Sequence, residues 1–255
     1  MFWSVLTIVV AVYIGLCGVM FFMQRSLIYM PTPATQAHNA AMILKVPGAQ
    51  LRISSRPHDG PKAVLYFGGN AEDVVYAVAD LSAAFPDRAI YGLHYRGYSG
   101  SSGKPSEGAL RSDAKAVFEM VHDRHADVLV IGRSLGTSLA IQLAAEEPVS
   151  RLVLITPFES ILKIASRVVP FLPVRWLLAD PHESWRYADK VTCPTTIIAA
   201  SEDEVVPTID TQQLFKTFKP GVATMVMING ANHNSVSSTG EFWDALSDDG
   251  SEHDR

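Results

Sequence analysis

Charge and cysteine are both scarce in this chain. Only 18% of its 255 residues are charged, below the roughly 25% of ordinary soluble domains. Two cysteines, Cys17 and Cys193, exclude a disulfide framework and a cysteine-rich zinc site. Basic residues are outnumbered by acidic ones, 21 against 26, which argues against a nucleic-acid binder. No internal period marks a repeat protein. Apolar residues supply 48% of the sequence, enough to bury a core, so disorder is excluded. Polar residues still fill most of the chain, which argues against a multi-pass membrane protein. The length suits one large domain, or one domain with an appendage.

The missing charge is concentrated at the start. Residues 1–23 hold no Asp, Glu, Lys or Arg. As a helix they would extend about 34 Å, more than the hydrocarbon core of about 30 Å. Trp3 lies near one end and Tyr29 just past the other, where amphipathic rings favour the membrane interface, and Arg25 closes the run. The reading is a retained transmembrane anchor over residues 1–23 and a linker over 24–40 containing the helix-breaking Pro31-Thr32-Pro33. A cleaved signal peptide would show a basic leader and an apolar core of about 7–15 residues. Here no Lys or Arg precedes the run, and the nearest small-x-small site lies around Thr35 to Ala37. A buried core helix is the third reading. Counting basic residues at the membrane ends favours a cytosolic domain by Arg25 alone, which leaves the side undetermined.

Beyond the linker, short apolar runs alternate with amphipathic stretches. Strands are expected at 63–67, 89–93, 128–131, 152–155, 195–200 and 223–228, with a leading hairpin at 42–46 and 51–54. Helices are expected at 72–85, 107–124, 135–146 and 208–218. Strands alternating with helices predict an α/β fold with a mostly parallel central sheet flanked by helices. The catalytic domain is bounded at 41–246. Within it, residues 157–193 carry Pro157, Pro170, Pro173 and Pro181 around short apolar segments, and read as a lid-like insertion. Residues 247–255 read as an acidic, flexible tail.

The chemistry sits in Val128-Leu129-Val130-Ile131-Gly132-Arg133-Ser134-Leu135-Gly136. This is a strand, then Gly-x-Ser-x-Gly, then a helix. The bare pattern also describes an ordinary Gly/Ser turn; its placement between a buried strand and a helix is what makes it specific. A tight strand-to-helix turn holds the serine in strained geometry, and small neighbours let the turn close. A serine hydroxyl needs a base, and the base needs an orienting acid. In this architecture the order along the chain is serine, acid, histidine. Asp203 follows the strand ending near Ala200, and His233 follows the strand ending near Ile228. Glu202, Glu204 and Glu159 are alternative acids. Of the remaining histidines, His122 and His125 read as solvated residues at a helix end, and His94 and His182 as loop residues lining the site. The oxyanion hole is assigned to the backbone N–H groups of Leu135 and Asn70, the latter in Phe67-Gly68-Gly69-Asn70-Ala71. Asn70 could also cap the helix that follows.

Together these segments resemble an α/β-hydrolase. The closer resemblance is to the membrane-anchored α/β-hydrolase-domain proteins of the Bem46 type. It also rests on Gln24-Arg25-Ser26-Leu27-Ile28-Tyr29, Tyr95-Arg96-Gly97-Tyr98-Ser99-Gly100, Thr156-Pro157-Phe158-Glu159-Ser160 and Asp203-Glu204-Val205-Val206-Pro207. The resemblance implies Ser134 as nucleophile, His233 as base and Asp203 as acid. Two positions depart from it. Many relatives have Asp where His94 stands before the Tyr-Arg-Gly run, and His where Gly68 stands in the oxyanion loop. The expected activity is hydrolysis of a carboxylic ester or thioester through an acyl-enzyme, without metal or organic cofactor. The expected partners are a small-molecule or acyl-lipid ester and the bilayer; no nucleic acid is expected. A serine peptidase, and a non-catalytic tethered binding protein on the same fold, are the alternatives. The oligomeric state is not legible.

Overall fold

The computed structural model describes residues 2–248. The acidic tail beyond Asp248 lies outside the described residues. The chain begins with α1 (Phe2–Ile28), then a short 3₁₀ turn at Gln36–Ala40. An antiparallel hairpin follows, β1 (Met42–Val46) and β2 (Ala49–Arg56). Alternation then sets in: β3 (Lys62–Phe67), α2 (Val74–Ala84), β4 (Ala89–His94), α3 (Glu107–His122), β5 (Asp127–Arg133), α4 (Leu135–Ala144) and β6 (Arg151–Ile155). The insertion contributes α5 (Ile161–Val168), α6 (Val174–Leu177) and α7 (Trp185–Ala188). The chain then returns through β7 (Thr195–Ala200), α8 (Thr208–Phe215), β8 (Ala223–Ile228) and α9 (Gly240–Ser247).

The eight strands form one sheet in the order β1-β2-β4-β3-β5-β6-β7-β8. β3 to β8 run parallel, and β2 pairs antiparallel with β4. Strands covered on both faces carry apolar residues at successive positions rather than alternate ones. Ala63 to Phe67 and Val128 to Ile131 accordingly show almost no exposure. One face is covered by α3 and α4, through Leu110, Val117, Phe118, Leu139 and Ile141. The other is covered by α2 and α9, through Val78, Leu81, Phe242 and Leu246.

The order reverses beside β3, between β4 and β5. In open parallel sheets that reversal opens a crevice at the carboxyl ends of the strands, where ligands bind. The loops after β3, β5, β7 and β8 all leave from that edge, and the catalytic candidates lie on them.

Three expectations are corrected. Residues 24–28, expected in the linker, are helical: α1 continues to Ile28, where Gln24 and Arg25 find partners on the insertion. Gln24 bonds the backbone of Leu177 and Ala179, and Arg25 Nε donates to Asp180 at 2.9 Å. Tyr29 is not at a water interface: it is buried, and its hydroxyl meets His182 Nε2 at 3.0 Å. Finally, α9 lies in a stretch where no helix was expected. Thr239 caps it by accepting the Phe242 N–H, and its apolar face closes the second core.

Candidate active site

The loop after β5 is the most constrained backbone in the site. Ser134 has φ +47° and ψ −114°, a region that costs a residue with a Cβ about 1–3 kcal/mol. Several contacts hold it there. Its N–H donates to the Ile155 carbonyl at 2.9 Å, and its carbonyl accepts from the Thr137 N–H at 2.9 Å and hydroxyl at 2.6 Å. The flanking glycines are required by space. A Cβ on Gly132 would lie 2.7 Å from the Gly136 carbonyl, and one on Gly136 would lie 2.1 Å from the carbonyl of Phe67. The turn and the end of β3 are therefore in direct backbone contact, which fixes the serine relative to the loop after β3.

Asp203 and His233 are brought to the serine by two loops stitched together. The Ser201 N–H donates to the Ile228 carbonyl, the Glu202 N–H to the Ala231 carbonyl, and the Gly230 N–H to the Ser201 hydroxyl. The Asp203 carboxylate accepts from the N–H groups of Val205 and Val206 at 2.9 and 2.7 Å. It also faces His233 Nδ1, at 2.8 Å from Oδ2 and 3.0 Å from Oδ1. A carboxylate only accepts, so Nδ1 carries the proton. His233 Nε2 is then the acceptor, and the Ser134 hydroxyl donates to it at 3.0 Å. Glu202 and Glu204 point to solvent, and Glu159 pairs with Lys163; none of them meets His233.

The loop after β3 completes the site. The backbone N–H groups of Asn70 and Leu135 donate to no acceptor among the described residues. The Asn70 side chain does not cap α2; Asp73 does, by accepting the Val75 N–H. Asn70 instead ties the loop to the segment after α1. Its amide donates to the Ile28 carbonyl at 2.6 Å, and its oxygen accepts from the Met30 N–H at 2.9 Å and the Tyr98 hydroxyl at 2.8 Å. Gly69, Asn70, Arg133, Ser134, His233 and Asn234 line an open cleft of about 300 Å³.

Several supporting residues were not singled out from sequence. Glu72 turns back from the start of α2 and accepts from the Gly69 N–H at 2.6 Å and the Tyr66 hydroxyl at 2.7 Å. Tyr95 donates to the Gly68 carbonyl at 2.7 Å, and Arg96 holds the buried Asp113 of α3 at 2.5 and 2.7 Å. The Tyr95-Arg96-Gly97-Tyr98 run thus braces the loop after β3. The signal for it was the run itself, but its partners lie on other elements.

Four other histidines, His182, His125, His94 and His38, hold structural contacts. His182 is fully buried rather than lining the cleft, with Nδ1 2.8 Å from the Ser138 hydroxyl on α4, and burial pushes its pKa down to about 4. His125 is buried, not solvated, and bonds the Gly60 carbonyl and Tyr91. His94 ends β4, within reach of Ser54 at 2.8 Å; burial and the neighbouring His38 push its pKa down to about 4. Among the described residues, His38, Asp73 and His94 have donor atoms close enough for a cation. However, the Thr35 N–H donates to His38 Nδ1 at 2.8 Å. His38 Nε2 is therefore the protonated nitrogen and donates to Asp73 at 2.9 Å. The cluster is a hydrogen-bonded pair that fastens the linker to the start of α2.

Comparison with known proteins agrees with this architecture. No protein-family model matches the chain. An uncharacterized protein of Mycobacterium tuberculosis is 32% identical over 251 residues, covering 90% of this chain and 87% of the relative. Human α/β-hydrolase domain-containing protein 17B is 29% identical over 161 residues, 62% of this chain and 54% of the relative. Among solved structures, an esterase of Pyrococcus furiosus superposes with a TM-score of 0.67 at 17% identity, over 86% of this chain and 94% of that one. The chain has the α/β-hydrolase fold, as its motifs and sheet order lead one to expect, and it is similar in sequence to α/β-hydrolase domain-containing proteins.

Proposed function

We propose that the protein is a membrane-anchored serine hydrolase that cleaves a carboxylic ester or thioester. The observation that carries this reading is the unbroken hydrogen-bonded row from Asp203 through His233 to Ser134, with the serine on a strained turn beside two unengaged N–H groups. Such a row performs acyl transfer in a fixed sequence. As Ser134 Oγ attacks the acyl carbon, its proton passes to His233 Nε2. Negative charge moves to the carbonyl oxygen, where the Leu135 and Asn70 N–H groups receive it. Asp203 stabilises the imidazolium. His233 then gives its proton to the departing alkoxide or thiolate, leaving an acyl-enzyme. Water, deprotonated by the same Nε2, attacks that ester, and the acid product leaves with Ser134 restored.

The cleft volume sits at the lower end of ligand pockets, about 300–1,000 Å³, so esters of short to medium acyl chains are the first substrates to try. The anchor in this reading is α1, whose Phe2–Ile28 span is long and apolar enough to cross a membrane. It holds the site near lipid, which makes acyl-lipid and acyl-protein esters accessible without selecting between them. Labelling with a fluorophosphonate tests the reading. Full-length protein takes up one equivalent and Ser134→Ala none; labelling that persists in the variant would refute it.

A further inference from the structure

The insertion rises along α1 rather than folding down over the sheet. Tyr13, in the middle of α1, donates its hydroxyl to the Phe171 carbonyl at 2.9 Å. Gln24, nearer the end, donates to the Leu177 carbonyl and accepts from the Ala179 N–H. Arg25 pairs with Asp180 at the base. Along this contact, Leu172 and Leu177 of the insertion and Met20 and Leu27 of α1 line an apolar groove of about 100 Å³. Tyr13 precedes Met23 by ten residues, which in a helix is about 15 Å.

From this we propose that the apex of the insertion, residues 168–176, is immersed in the acyl-chain region of the bilayer that α1 crosses. The proposal rests on reading α1 as a membrane anchor and adds a second membrane element to it. If α1 spans a hydrocarbon core of about 30 Å, the level of Tyr13 lies near its middle, and Phe171 is held at that level.

The chemistry of the apex fits that depth. Its outer surface is apolar and unpartnered: Val168 is 73% exposed, Phe171 61% and Trp176 85%. Between 168 and 176 Arg175 is the one charged residue, and its neighbour Trp176 is a side chain suited to the interface. Non-helical backbone inside a membrane is tolerated only when its polar groups are satisfied by protein. Tyr13 and Gln24, polar residues in an otherwise apolar stretch of helix, supply those partners. This surface is continuous with the lipid-facing side of α1, so acyl chains are its occupant. Behind the apex, Lys163 and Arg167 of α5 pair with Asp210 of α8. That keeps the charged half of α5 on the catalytic domain.

Spin labelling in lipid nanodiscs of phosphatidylcholine and phosphatidylglycerol tests the proposal. The background is the full chain with Cys17→Ala. Cys193 stays in place, since it is buried and burial pushes its thiol up to about 11. Labels go on Phe171→Cys, on Val12→Cys as the α1 reference, and on Lys219→Cys, at the opposite edge of the sheet, as the water reference. The expected result is that Phe171 follows Val12, open to oxygen and closed to a water-soluble nickel chelate, while Lys219 is the reverse. Nickel access at Phe171 with lipid exposure at Val12 would overturn the proposal and leave the anchor standing. Low access to both reagents at Phe171 would also overturn it, since a second copy or another protein then covers the apex. Nickel access at Val12 would refute the anchor reading and the proposal together. Should the cysteine variants fail to fold, quenching of Trp176 by brominated lipid, with Trp3, Trp185 and Trp243 replaced by Phe, gives the same decision.

Discussion

The contact between Gly136 and the end of β3 yields a quantitative prediction. In Gly136→Ala the new methyl group would lie 2.1 Å from the Phe67 carbonyl oxygen, 2.6 Å from its carbon and 2.8 Å from the Gly68 carbonyl oxygen. All three are backbone atoms, so no side chain can swing aside. Ordinary contact begins near 3.4 Å, and the loop after β3 must move away from the nucleophile turn by about an ångström. Overpacking of this kind costs about 1–3 kcal/mol of stability. The catalytic cost is larger, because the shift separates the Asn70 and Leu135 N–H groups. A misplacement of about 1 Å costs roughly a hundredfold in rate. Gly108→Ala is the control: it lies in α3 with nothing within 4 Å of the added carbon, and should stabilise by about 0.5–1 kcal/mol with unchanged turnover. Urea denaturation and kcat/KM on a p-nitrophenyl ester measure both effects. If folded Gly136→Ala keeps kcat/KM within about twofold, a fixed approach of the two loops does not govern the rate.

Three further predictions concern individual side chains. Asp203→Asn leaves His233 facing an amide; kcat should fall on the order of 10⁴-fold with the fold intact, read by ester turnover and circular dichroism. Glu72→Gln replaces an acceptor of two hydrogen bonds with a group that accepts at only one atom, so the loop after β3 loosens. Its kcat should drop roughly tenfold with KM little changed. His182 and His94 are both pushed down to about 4 by burial, His94 also by His38, against an ordinary 6.5. Below that ordinary value the unfolded chain takes up protons that the folded chain refuses, so stability is full above it and declines as the pH falls towards the folded value. The loss from about pH 7 to about pH 5 is about 2 kcal/mol per ring, visible as a falling urea midpoint, and His182→Gln should remove about half of it.

The parts of the molecule legible in sequence were those governed by local pattern. Strands buried on both faces stand out as apolar runs, so 195–200 coincides with β7; the edge strand β8 keeps an apolar run at 223–228 although Ile228 is its one buried residue. The turn at Ser134 is legible because the backbone packed against it leaves room for glycine alone at 132 and 136. Parts set by distant partners were not. Gln24 and Arg25 of α1 find their partners on an insertion about 150 residues away, and nothing near them announces Leu177 or Asp180. Glu72 belongs by local pattern to the start of a helix, yet it turns back to the loop after β3, and α2 begins two residues later at Val74. Tyr29 reads as an interface residue because its ring is amphipathic, and only the packed structure supplies His182.

The central claim is a covalent acyl intermediate on Ser134, and an acid quench shows it directly. Full-length protein is mixed with excess p-nitrophenyl acetate, quenched within the first turnover, digested and weighed by mass spectrometry. The account predicts a burst of one nitrophenolate per chain and one acetyl group on the peptide that contains Ser134, with neither in Ser134→Ala. Turnover without a burst or adduct, or an acetyl group on another residue, would contradict it.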